Sequence, residues 1–183
     1  MNKKKNIIVF IVIFFFLLIL IWYSRFLSIN KKYDDSHVDI YLGETEIFDG
    51  VEITPVEADL LSNEELLTKF KLYELKDTNK KYICLKIKVK SNHNKIDYEK
   101  FIANGFRTDV WFNGIDPILF YTINNGNMQE INDNGEGCLW IVGDIDINYN
   151  KYYKENLSLK ETDFRYVFFI DEKIVEFLCR YRG

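Results

Sequence analysis

Two hydrophobic rhythms divide the chain. Residues 7–23 (IIVFIVIFFFLLILIWY) are apolar without interruption, whereas residues 82–90 (YICLKIKVK) alternate apolar and lysine positions with a period of two. The first run holds 17 residues. As a helix it would span about 26 Å, just short of the roughly 30 Å hydrocarbon core of a bilayer. Lys5 and Arg25 can snorkel toward the headgroups, Trp22 and Tyr23 suit the interface, and Phe26 and Leu27 add a further apolar turn. The pattern predicts a single transmembrane anchor over residues 7–27, with the lipid bilayer as its partner.

A cleaved leader would have a shorter apolar stretch followed by a small-x-small site. Ser24-Arg25-Phe26-Leu27-Ser28 offers no such site, and Cys84, the first cysteine, lies far beyond any lipobox. An uncleaved anchor is therefore expected. Lysine and arginine are balanced across the span, three on each side, but Lys3, Lys4 and Lys5 are packed into a very short N-terminus. That concentration predicts a cytosolic segment over residues 1–6 and an extracytoplasmic domain beyond the membrane. Residues 28–36 read as a polar stalk, and residues 37–183 as one domain large enough for a single core.

Within that domain the period of two dominates. Ile83, Leu85, Ile87 and Val89 share one face of the 82–90 segment and the lysines take the other, the pattern of a half-buried antiparallel strand. Further strands are predicted over residues 38–42, 51–56, 105–113, 118–123 and 138–147. A closing hairpin is predicted over residues 164–170 and 174–181. Asn, Asp and Gly clusters at residues 91–94, 124–127 and 132–135 predict turns. One helix is well signalled, because Ser62-Asn63-Glu64-Glu65 forms a capping box ahead of Leu66, Leu67 and Phe70. A weaker helical spacing covers residues 151–157. The expected fold is mainly β, an antiparallel sandwich with one or two short helices, preceded by the transmembrane helix.

The order of these signals resembles a known class. Leu42-Gly43-Glu44, then Gly50-Val51-Glu52-Ile53-Thr54-Pro55-Val56, the lysine-studded strand ending at Ser91-Asn92, and Gly137-Cys138-Leu139-Trp140-Ile141-Val142 look like telokin-type, immunoglobulin-like domains. Such domains occur on small membrane-anchored surface proteins of Gram-positive bacteria, many of unknown function. The resemblance implies an immunoglobulin-like sandwich at the cell surface. It carries over no site residues, and the chain lacks the Cys-Trp-Cys framework of antibody domains.

Charge narrows the choice of partners. All 28 acidic residues lie beyond residue 33 with 18 of the basic ones, giving residues 34–183 a formal charge of −10. Such a surface is repelled by phosphate backbones, so no nucleic-acid partner is expected.

No nucleophile elbow, P-loop or dinucleotide fingerprint is present, and Ser36, Ser62, Ser91 and Ser158 read as stalk, cap or turn residues. No catalytic residue and no cofactor are predicted. His37 and His93 lack partners at zinc-ligand spacing. Asp144, Asp146 and Asn148, and the loop Asp133-Asn134-Gly135-Glu136, do not fit a calcium loop, so no metal site is predicted either.

Cys84 and Cys138 face away from the main core stripe while Cys179 faces inward, and three free thiols are expected, with a Cys84–Cys138 bridge as the alternative if their strands are neighbours. Trp111 and Trp140 also sit off the core face. Trp140, beside Cys138 and Val142, is expected under the capped helix. Trp111 shares its face with Asp109 and Asn113 and is the one residue nominated for protein binding. The expected function is a non-catalytic, membrane-tethered binding domain whose partner is another membrane or cell-surface protein. The alternative is an enzyme or inhibitor with a loop-assembled site, including protection against a toxin.

Overall fold

The structure, a computed structural model, describes residues 3–35, 37–73, 80–91, 96–108, 111–146, 158–170 and 173–182. The chain divides into two compact units, Met1–His37 and Val38–Gly183. The first is helix α1 (Lys3–Asp35), 33 residues long, whose stretch Ile13–Lys31 is long and apolar enough to cross a membrane. At 1.5 Å per residue α1 is about 50 Å long, more than a hydrocarbon core requires. The segment read as a stalk continues the helix to Asp35.

The second unit is mainly β. Its elements are β1 (His37–Ile40), β2 (Glu46–Phe48), β3 (Val51–Ser62), α2 (Asn63–Phe70), β4 (Lys80–Ser91), α3 (Glu99–Ile102) and β5 (Gly105–Arg107). They continue with β6 (Phe112–Gly114), α4 (Pro117–Asn134), β7 (Glu136–Asp146), β8 (Arg165–Ile170) and β9 (Lys173–Leu178). The strands form two sheets, a five-stranded one of order β1-β9-β8-β5-β6 and a four-stranded one of order β2-β3-β4-β7.

Strand alternation builds one shared core. Ile83, Leu85, Ile87 and Val89 of β4, with Leu139, Ile141 and Ile145 of β7, are fully buried against Phe106, Tyr166, Phe168, Val175 and Phe177 of the other sheet. The inward stripe is the one the 82–90 alternation predicts. Gly143 occupies an inward position where a Cβ would stand 2.5 Å from Phe106 Cδ2, so glycine makes room for that ring. Tyr166 donates its buried hydroxyl to the Phe101 carbonyl at 2.6 Å, satisfying the polar group that this large ring brings into the core.

The opposite face of the four-stranded sheet carries a second cluster. Leu66 of α2 is buried with Tyr82, Cys84 and Val142, and Phe70, Leu119, Ile123 and Trp140 pack around them. The capping box that starts α2 is present. Ser62 Oγ accepts from the Glu65 amide at 3.3 Å, and Glu65 Oε2 accepts from the Ser62 amide at 2.7 Å. These hydrogen bonds, the one from the Ser62 backbone first, hold the Glu65 carboxyl below its ordinary value of 4.5.

Two expectations are corrected. Residues 118–123 are not a strand but the start of α4, and the asparagine cluster at 124–127 lies inside that helix. Asp116 caps it through Oδ1, which accepts from the amides of Ile118 (2.8 Å) and Leu119 (3.2 Å), while Pro117 opens it and Gly135 closes it in the left-handed conformation. Phe120, Asn124 and Ile131 are its buried stripe. Residues 105–113 form no continuous strand either, since β5 and β6 are a short antiparallel pair, with Arg107 opposite Phe112. The helical spacing at residues 151–157, and His93, lie outside the described residues.

Candidate functional site

Trp140 is the hub of the α2 roof. Its ring is half-buried, with Phe70 of α2 edge-on at 5.2 Å between centroids and the Lys69 ammonium 4.1 Å from its centroid. Lys69 also pairs with Glu57 at 3.0 Å and with Asp59, both on β3. Desolvation acts to lower the Lys69 pKa, the hydrogen bonds to Asp59 and Glu57 act to raise it, and the net direction is upward. The expected roof is therefore present, and it is partly electrostatic.

Helix α4 completes the roof and meets the edge of β7. Fully buried Asn124 donates from Nδ2 to the Trp140 carbonyl at 2.8 Å and accepts through Oδ1 from the Trp140 amide at 2.8 Å. One carboxamide thus satisfies the donor and acceptor of an edge strand, as a neighbouring strand would. Further along β7, Asn113 donates to the Asp144 carbonyl at 3.1 Å.

Between the end of α2 and the start of α4 runs a groove of about 440 Å³, lined by Phe70, Leu72, Tyr73, Ile118, Leu119 and Thr122, with Lys71 and Asp116 also at its wall. Leu72 and Leu119 belong to the second cluster and form its inner side. Tyr73 is fully exposed and Ile118 is 80% exposed. Large apolar side chains beside a concavity are what a protein interface offers before its partner arrives. Sequence reading missed this groove because it placed residues 118–123 in a strand. The signals that mark the helix were present in Asp116-Pro117 and Gly135.

Trp111, the residue nominated for binding, is half-buried and packs against the main core, and its carbonyl accepts from the Thr108 amide at 2.8 Å. Asp144 pairs with Lys80 and accepts from Asn113, which places its carboxylate in a structural network. Asp133 and Asn134 are exposed at the end of α4.

The three cysteines are free thiols. Cys84 lies opposite Val142 and Cys138 opposite Lys88, four positions apart on one ladder and so about 13 Å from each other, too far to bridge. Burial pushes the Cys84 thiol up to about 12 and raises that of Cys179 as well, so neither is a nucleophile near neutral pH.

The five-stranded sheet carries a charged network that sequence reading did not anticipate. Glu176 of β9, fully buried, pairs with Arg107 of β5 and with Arg165 of β8 at 2.8 Å. Arg165 also donates to Asp163 from Nε at 3.0 Å. Its guanidinium pKa is raised, with desolvation opposing and the carboxylates of Glu176 and Asp163 prevailing. A buried carboxylate shared by two arginines cross-links three strands, and removal of either sign would leave an uncompensated charge.

Searches of protein-family models, curated proteins and solved structures gave no match to this chain.

Proposed function

We propose that this chain is a membrane-tethered, non-catalytic, extracytoplasmic domain that binds another membrane or cell-surface protein through the groove between α2 and α4. The observation that carries the reading is the exposure of Tyr73 and Ile118 at the lip of that groove. A partner side chain entering it would bury both, and desolvated aromatic and aliphatic anchors dominate interface energy. The lysine cluster before α1 supports a cytosolic N-terminus with the domain outside. The formal charge of −10 over residues 34–183 speaks against nucleic acid.

The sheet order supports an immunoglobulin-like reading of the fold, and with it the resemblance to telokin-type surface domains. In that fold one sheet runs A-B-E-D and the other C-F-G. Here β3-β4-β7 follow the order A-B-E and β5-β8-β9 the order C-F-G, with α4 beside β7 at the place of strand D.

The test is photocrosslinking in intact cells from a residue introduced at Tyr73 or Ile118, with Ile47, exposed on β2, as control. The reading expects one discrete adduct from the groove positions, abolished by Ile118→Glu, and digestion of the domain by protease added to wall-stripped cells. The same weak adducts from all three positions, or a domain resistant until lysis, would overturn it.

A further inference from the structure

Among the described residues, one edge of the four-stranded sheet has no strand beside part of its length. β2 pairs with β3 only at residues 51–53, and the Gly43 amide donates to the Pro55 carbonyl at 2.7 Å. Beyond the irregularity between Pro55 and Glu57, no backbone bond to the outer side of β3 is present among the described residues. Residues 56–62 are half-buried throughout, on both faces, as the margin of a sheet is when no further strand covers it.

The side chains on this margin state what would complete it. Ala58 and Leu60 pack at the rim of the main core, while Glu57 and Asp59 lie on the roof side. β4, already seated on the inner side, places Leu85 opposite Ala58, Ile83 opposite Leu60 and Lys86 opposite Glu57, while Asp59 stands opposite Cys84 and pairs with Lys69 of α2. The farther Lys90–Glu52 pair, 3.4 Å apart, repeats the pattern.

Resting on the reading of the domain as a binding module, we propose that residues 57–61 of β3 are a strand-addition site. The occupant is an extended segment of a protein partner in which apolar residues alternate with lysine or arginine. Main-chain hydrogen bonds would supply affinity, and the alternation would select register. A second copy of this chain is a poor occupant, because antiparallel pairing of two such edges brings the carboxylates of Glu57 and Asp59 near their own counterparts.

The test uses the full chain in phosphatidylcholine nanodiscs and the synthetic peptide acetyl-Lys-Val-Lys-Ile-Lys-Val-Lys-amide, with amide hydrogen exchange and titration calorimetry as readouts. Saturating peptide is expected to slow exchange at alternate amides within residues 57–61 by about tenfold or more. Methylation of alternate peptide nitrogens, which keeps every charge and removes backbone donors, is expected to weaken binding about tenfold, as is Asp59→Lys.

Asp59→Lys also disturbs Lys69, so its melting curve is recorded, and the N-methyl peptide supplies the comparison that needs no variant. Equal affinity of the two peptides, protection confined to residues 70–73 and 116–122, or no binding would overturn the proposal. Ile118→Glu is expected to leave peptide binding unchanged. A strand-addition failure with groove crosslinking intact would therefore sink this proposal alone.

Discussion

The two edges of the four-stranded sheet are finished in opposite ways. At β7 the edge is closed by a helix, with the Asn124 carboxamide standing in for a neighbouring strand and Trp140 pinned between α2 and α4. At β3, beyond the short pairing with β2, no strand lies beside the half-buried edge among the described residues, and an irregularity near Pro55 with the carboxylates of Glu57 and Asp59 guards it. Both are recognised ways to keep a sheet from aggregating, but they differ in what they leave available. A closed edge contributes stability. An edge protected only by charge and shape still offers its amides to a segment of the right pattern.

The largest effect that separates the edges should come from Trp140→Ala. It removes the ring between Phe70 and Lys69 and should lower stability by about 3 kcal/mol, read as a drop in the denaturant midpoint. A domain that melts like the parent would remove the α2 roof from the account.

Asn124→Ala should cost about 1 to 3 kcal/mol, since it leaves the part-buried Trp140 amide and carbonyl without their partner. Equal stability of the two proteins would mean that α4 covers the edge without closing it. On the open side, Glu57→Ala removes carboxylate contacts to Lys69 and Lys86 that are half-exposed, and should change stability by no more than about 0.5 kcal/mol. A loss of several kcal/mol there would show that the β3 margin is part of the folding core.

The smallest effect concerns pH. Glu65 has a lowered pKa in the folded chain, so its contribution is fully present above the unfolded value near 4.5 and is lost as pH falls through the lower folded value. Glu65→Gln should therefore narrow the stability difference between pH 6 and acid. An unchanged acid limb would mean that the capping box contributes nothing measurable.

What could be read from the chain follows the range of the forces involved. Residues 82–90 declare their inner face because a period of two is a local property, and Ser62 with Glu65 declares a helix start within four residues. The apolar helix α1 is legible because length and apolarity, which are what a bilayer would demand of it, are read directly from residues 7–23. Helix α4 was hidden because Ile118, Phe120, Thr122 and Ile123 suit a strand by propensity. What decides for helix is tertiary, namely the burial of Phe120, Asn124 and Ile131 along one stripe. The groove was lost with it, since Ile118, Leu119 and Thr122 of its wall belong to α4. The Glu176 network was hidden for another reason. Arg107, Arg165 and Glu176 are up to 69 positions apart in sequence and meet only through the order β9-β8-β5.

The contrast between the edges is tested most directly by amide hydrogen exchange on the full chain in nanodiscs, resolved to single residues, with no peptide added. The account predicts that the Trp140 amide, which donates to Asn124, exchanges as slowly as amides inside the β4 ladder. It also predicts that outward amides within residues 57–61 of β3 exchange orders of magnitude faster. A fast Trp140 amide, or uniform slow exchange across residues 57–61, would contradict it.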